Sequence, residues 1–265
     1  MVRKHTLFQV VAGLAGAAIA AAGAAQAPPT PSAPRQVTNI VLVHGAFADG
    51  SSWSKVIPLL EAKGYHVTAV QNPVTSLADD VAMTKRVIAL QDGPVILVGH
   101  SWGGAVITQA GDDRKVAGLV YVSAYAPDAG QSANDASGPF GRTPGQQQIR
   151  VDESHFAYLT DQGVLEDVAQ DLPMAERRAF LAVQGLDYAP AFDDKLTVAA
   201  WKTKPSWYVI SAKDRMLSPA MEEAAAAKMK ASTTKLPTCH LAMLEQPEKV
   251  AEVIADAANQ ALKQH

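Results

Sequence analysis

Residues Val95–Val106 read VILVGHSWGGAV, a run of apolar residues that passes through Gly-His-Ser-Trp-Gly-Gly straight into an apolar helical pattern, with no polar loop between. A short continuous apolar run after Gly93-Pro94 is the pattern of a strand buried on both faces. Gly99, Ser101 and Gly103 form G-x-S-x-G, whose small flanking residues let a strand turn abruptly into a helix and hold the central side chain exposed at the turn. That junction constrains the rest of the chain, because a buried parallel strand needs neighbours on both sides and helices on both faces.

Those neighbours are legible. From Gln36 onward strand-like and helix-like segments alternate, which predicts a mostly parallel sheet with helices on both faces. NIVLVHG (39–45), HVTAV (66–70), the strand before Ser101, GLVYVSAYA (118–126), SWYVIS (206–211) and 233–236 make about six strands. Between them, Trp53, Val56, Ile57 and Leu60 share one helical face, as do Leu77, Val81 and Ile88. Ser218-Pro219 reads as an N-cap and first-turn pair, and Val250, Ile254, Ala257 and Ala261 form a final apolar stripe. Between Pro127 and Lys204 the alternation gives way to Gly-, Pro- and Gln-rich loops and short amphipathic pieces. A helical cap insertion over about 128–204 is expected there, above the carboxyl edge where open α/β sheets place ligands.

The start of the chain reads differently. Residues 1–27 combine Arg3 and Lys4, an alanine-rich apolar stretch and a small-residue end, the pattern of a secretory signal peptide, with an uncleaved anchor as the other reading. Pro28 disfavours a cut directly before it, so cleavage after Ala24 or Ala25 is expected, and residues 28–37 form a proline-rich linker ahead of a domain over 38–265. An exported protein, periplasmic or secreted, follows, with no stable membrane association after leader removal. The formal net charge of −3 becomes more negative once Arg3 and Lys4 go, which argues against nucleic acid as a partner. Cys239 is the single cysteine, so no intramolecular disulfide is available, and the absence of H-x-x-x-H or C-x-x-C spacing points to no metal. A homo-oligomer is compatible with all of this.

A serine hydroxyl needs a base to take its proton, and the base needs a partner to fix its tautomer. Downstream, Asp214 and His240 each stand just beyond a predicted strand, at the same sheet edge as Ser101 and in the order nucleophile, acid, base. Asp128, after the strand ending near Ala126, is the alternative acid. The oxyanion of an acyl-transfer reaction needs two fixed N–H groups, expected from Trp102 and from Ala46 after His44-Gly45. Phe47 and Trp102 are expected to flank substrate. His44 and His100 read as loop-orienting residues, His155 as solvent or cap, and Cys239 as a buried neighbour of the base.

The segments VLVHGAFADGSSWSKVIPLLEAKGYHVTAV, VGHSWGG, ISAKDRM and CHLAMLEQPEKV resemble the α/β-hydrolase superfamily, in the branch that holds plant methylesterases, hydroxynitrile lyases and bacterial esterases, some acting on pyrethroid esters. The resemblance runs from Thr38 to the C-terminus and is weakest in the cap. It implies an α/β-hydrolase fold and a cofactor-free serine esterase with Ser101, Asp214 and His240 as triad and Ala46 and Trp102 as oxyanion donors. The lyases of this branch carry threonine and lysine where this chain has Gly45 and Leu241, so the resemblance implies ester hydrolysis of small to medium apolar compounds, with Leu241 beside the substrate. A lactonase, a cofactor-free perhydrolase of the haloperoxidase kind, and a non-catalytic ligand-binding receptor remain the alternatives.

Overall fold

The computed structural model describes residues 36–263. The expected signal peptide over residues 1–27 and most of the expected proline-rich linker lie outside the described residues. The linker's last residue, Val37, belongs to the domain: it is fully buried and its N–H donates to Ala258 O at 3.3 Å.

Six strands form one parallel sheet. They are β1 (Asn39–Val43), β2 (His66–Ala69), β3 (Val95–Ser101), β4 (Val116–Ala124), β8 (Ser206–Ser211) and β9 (Ser232–Leu236), in the spatial order β2-β1-β3-β4-β8-β9. Because side chains alternate across a strand, each central strand supplies both faces. Ile40, Leu42, Ile96 and Val98 pack on one side with α1 (Val56–Glu61) and α9 (Pro247–Gln260). Val41, Val43, Leu97 and Leu119 pack on the other with α2 (Leu77–Leu90), α3 (Trp102–Ala110) and α7 (Pro219–Met229). Burial of each such aliphatic side chain stabilises the fold by roughly 1.5–3 kcal/mol, which is why the apolar runs settle in the middle of the sheet.

The segment between β4 and β8 differs in part from the expected helical cap. It contains α4 (Ala133–Ser137), α5 (Pro144–Gln147) and α6 (Met174–Val183), and also a small antiparallel sheet of β5 (Ile149–Val151), β6 (Phe156–Leu159) and β7 (Asp187–Tyr188). The turn between β5 and β6 has a local cause. Asp152 Oδ1 accepts from Ser154 N–H at 2.9 Å and Phe156 N–H at 2.8 Å, and its carbonyl accepts from His155 N–H at 3.1 Å. Such an aspartate-centred turn competes with helix in a segment too short for an amphipathic period to reveal the hairpin. A last short helix, α8 (Ala242–Glu245), follows His240. No helix among the described residues is long and apolar enough to cross a membrane.

At the β3–α3 junction the backbone is packed too tightly for side chains. A Cβ on Gly104 would lie 2.2 Å from Tyr125 O, and one on Gly103 2.6 Å from Val43 O. Substituting Gly104 by alanine is therefore expected to lower stability by about 1–3 kcal/mol through overpacking against backbone. Gly138→Ala, whose added Cβ meets nothing within 4 Å, should leave it within about 0.5 kcal/mol. Thermal denaturation of the two variants checks the contrast.

Candidate active site

Ser101 ends β3 and caps α3 with φ 50° and ψ −119°, a conformation rare for a residue with a side chain. The turn places its hydroxyl in a cavity of about 420 Å³ that His240 also lines. The backbone next to Ser101 is tied down: its carbonyl accepts from Tyr125 N–H at 3.1 Å, and the strand pairing shifts register between His100 and Ser101.

The structure brings Asp214 and His240 together. His240 Nδ1 lies 2.6 Å from Asp214 Oδ2, both residues are buried, and Asp214 Oδ1 accepts from Met216 N–H at 2.7 Å and Leu217 N–H at 2.8 Å. With three acceptor contacts the carboxylate is fixed in place, and the Nδ1–H bond leaves Nε2 free to act as a base. The Ser101 hydroxyl has no hydrogen bond to His240 in this structure; serine–base bonds in free enzymes are often long and tighten around substrate. Asp128, the alternative acid, is elsewhere, with its Oδ1 2.5 Å from Lys202 Nζ.

The segment after β1 runs against the serine, so that a Cβ on Gly45 would lie 2.7 Å from Ser101 Cβ. Ala46 lines the cavity, and its N–H has no protein acceptor among the described residues. The next N–H is taken, since Phe47 N donates to Asp187 Oδ2 at 2.7 Å. Trp102 N–H, at the first turn of α3, is one of the donors that a helix start leaves unpaired. Phe47 and Leu241 line the cavity. The Trp102 indole does not: its Nε1–H donates to Asp80 Oδ2 at 2.7 Å and its ring packs on Phe192. That side chain is buried between those partners and does not line the cavity.

His44 and His100 hold backbone. His44 Nδ1 contacts Gly45 O at 2.8 Å while Nε2 accepts from Asn72 N–H at 2.9 Å, a pattern that selects the neutral Nδ1–H form. Burial lowers its basicity accordingly. His100 Nε2 lies 3.0 Å from His240 O, and its ring packs at 4.6 Å on the His240 ring; burial first, then the charge of His240, holds it well below its ordinary range. His155 is exposed in the β5–β6 turn. Cys239 is buried beside the base, and desolvation pushes its thiol up to about 12. No group of three or more His, Cys, Asp or Glu side chains able to hold a metal occurs among the described residues.

Three buried carboxyls beside the site carry no signal in the sequence. Glu222, fully buried in α7, accepts from Ser211 N–H at 3.0 Å and is driven well above its ordinary range by burial and then by Asp214. Burial likewise pushes Asp80 up to about 6 and Asp187 up to about 8. An acid beside apolar residues in ADDVAM or GLDYAP resembles any solvated surface acid; only the tertiary contacts reveal its burial.

The model of the alpha/beta hydrolase family matches residues 40–253. A probable hydrolase of Phoma sp. is 29% identical over 247 residues, covering 83% of this chain and 97% of that protein. The pyrethroid hydrolase of Sphingobium wenxiniae is 40% identical over 101 residues, 33% of this chain and 36% of that protein. Methylesterase 1 of Arabidopsis thaliana is 33% identical over 132 residues, 44% of this chain and 50% of that protein, so the chain aligns with at most half of either of these two relatives. Among solved structures, a pyrethroid hydrolase from Sphingobium faniae superposes with a TM-score of 0.72 at 25% identity, covering 84% of this chain and 97% of that one. Polyneuridine aldehyde esterase, at a TM-score of 0.73 and 19% identity over 84% of this chain and 100% of that one, shares the fold.

Asp187 carries a pH signature. Its carboxyl titrates near 3.8 when unburied and at about 8 in the folded chain, so in that window the native state holds a proton that the unfolded state releases. Its contribution to stability is whole below pH 4 and falls as pH rises towards 8, with a slope of up to about 1.4 kcal/mol per pH unit. Asp187→Asn cannot titrate and should gain on the wild type in melting temperature from pH 4 to pH 8. Parallel curves for the two proteins would contradict the assignment.

Proposed function

Because the chain belongs to the alpha/beta hydrolase family, we propose that it is a serine esterase cleaving carboxylic esters of small to medium apolar compounds. The observation that carries this reading is the 2.6 Å His240–Asp214 hydrogen bond at the wall of the cavity that Ser101 enters from a strained turn. Esterase relatives support it, the pyrethroid hydrolase and methylesterase 1 among them.

In this reading His240 Nε2 takes the Ser101 proton as the hydroxyl oxygen attacks the ester carbonyl. Asp214 holds Nδ1–H and offsets the charge of the imidazolium. The carbonyl oxygen, now negative, is held by the Ala46 and Trp102 N–H groups, backbone donors whose fixed position keeps the cost of reorganisation small. Collapse of the tetrahedral species returns the proton from His240 to the departing alcohol and leaves Ser101 acylated. Water, deprotonated by His240, then releases the acid and restores the hydroxyl.

The cavity supports the substrate class. Phe47, Ile149, Leu159, Val168 and Phe180 supply an apolar wall, and Tyr125, whose hydroxyl burial pushes up to about 12 and so keeps protonated, places a donor among them. Leu241 puts an aliphatic side chain next to the base, so no cation stands there to stabilise a departing cyanide. The leader pattern of residues 1–27 supports export.

With p-nitrophenyl acetate and butyrate, Ser101→Ala and His240→Ala are each expected to lower kcat by about 10³-fold or more. An alkyl phosphonate should add once, at Ser101, as read by mass spectrometry. Turnover that survives both substitutions would reject the mechanism.

A further inference from the structure

Two buried carboxyl groups that transfer no proton in the proposed reaction each accept a hydrogen bond beside a proposed oxyanion donor, one from backbone and one from a side chain. Asp187, in cap strand β7, is 2% exposed, and its Oδ2 accepts from the N–H of Phe47, the residue after Ala46, at 2.7 Å. Asp80, in α2, is fully buried, and its Oδ2 accepts from the indole N–H of Trp102, the other donor residue, at 2.7 Å.

Val74 joins the two. Its N–H donates to Asp80 Oδ1 at 2.9 Å, and its carbonyl accepts at 2.9 Å from the N–H of Tyr188, the residue after Asp187. A connected set of hydrogen bonds therefore runs from the Ala46–Phe47 segment through Asp187–Tyr188 and Val74 to Asp80 and Trp102. Phe47 at φ 58° and Val74 at φ 50° both occupy the left-handed region, costly for an aromatic and costlier for a β-branched residue. Both donate their N–H to one of the two carboxyls, which is what such a backbone needs to persist. A buried carboxyl is itself costly, and apolar side chains of similar size would serve packing as well or better. The geometry gives the cost a use.

We propose that Asp187 and Asp80 are positioning residues of the oxyanion hole, holding the Ala46–Phe47 segment and Trp102 in the relation that lets both N–H groups meet one oxygen. Asp187 occupies the Phe47 N–H and leaves Ala46 as the donor facing substrate. The cap thus completes the catalytic machinery through β7 as well as roofing the cavity. This rests on the serine esterase reading above.

Charge develops on the oxygen only in the transition state, so a displaced donor should lower kcat and leave KM nearly unchanged. With p-nitrophenyl butyrate, Asp187→Ala is expected to lower kcat about 10- to 100-fold with KM within about threefold. Affinity for a trifluoromethyl ketone, which forms the same oxyanion on Ser101, should fall in parallel. Asp187→Asn keeps a carbonyl oxygen for the Phe47 N–H and should restore kcat to within about threefold of wild type. Trp102→Phe removes the indole donor but keeps the backbone N–H, and should lower kcat and ketone affinity together; this variant decides the matter if Asp187→Ala does not fold. Ser101→Ala separates the two claims. If it is inactive while Asp187→Ala, or Trp102→Phe in its place, keeps wild-type kcat per folded molecule, the positioning role is overturned and the esterase reading stands. If Ser101→Ala turns over substrate, both fall.

Discussion

Ser101 sits at φ 50° and ψ −119°, where a residue with a side chain stays only when its surroundings permit nothing else. The surroundings that impose it are the centre of the sheet. β3 is hydrogen-bonded on both sides, by β1 and β4, and α3 begins at the next residue with its backbone against Val43 O and Tyr125 O. Neither the strand nor the helix can yield, so the turn between them absorbs a strain of about 1–3 kcal/mol. The result is a hydroxyl at a fixed point, and in the proposed reaction Asp214, His240 and the N–H groups of Ala46 and Trp102 act around that point.

That arrangement uses the direction of the sheet. In a parallel sheet every strand delivers its carboxyl end to the same edge, so the segments after β1, β3, β8 and β9 converge although they lie far apart in the chain. Ala46, Ser101, Asp214 and His240 each follow one of these strands. The ends of β4 and β8 are tied below them by the hydroxyls of Ser123 and Ser211 at 2.7 Å, and Ser211 meets Thr238 at 2.9 Å. This polar ladder links the strand ends that lead to Asp214 and His240.

Around the site, burial decides protonation more than charge pairing does. His44 and His100 are held neutral chiefly by desolvation, and each ring then serves backbone, His44 that of Gly45 and Asn72 and His100 that of His240. The same desolvation raises the carboxyls of Asp80, Asp187 and Glu222. Asp214 differs in its partners: two backbone N–H groups and the His240 ring surround it. These contacts fix the orientation of its carboxyl.

Much of the fold and the site is legible in the chain itself. Continuous apolar runs at 40–43 and 95–98 mark buried strands because a strand covered on both faces has no polar side to show, and G-x-S-x-G fixes where one of them must turn. The order Ser101, Asp214, His240, each beyond a strand, follows from that same local pattern. The cap resists such reading, since short strands such as Asp187–Tyr188 carry too few residues for a period to emerge, and an aspartate turn at 152 hides a hairpin. The Trp102 side chain departs from its expected place against substrate because a motif gives a residue's position along the backbone and says nothing of where its side chain goes. Sequence determined the strands, the turn and the side-chain chemistry of Ser101, Asp214 and His240 at the strand ends, all encoded by neighbours in the chain. Only the tertiary structure decided which aspartates are buried and which N–H groups are left free, because those depend on contacts between residues as distant as Phe47 and Asp187.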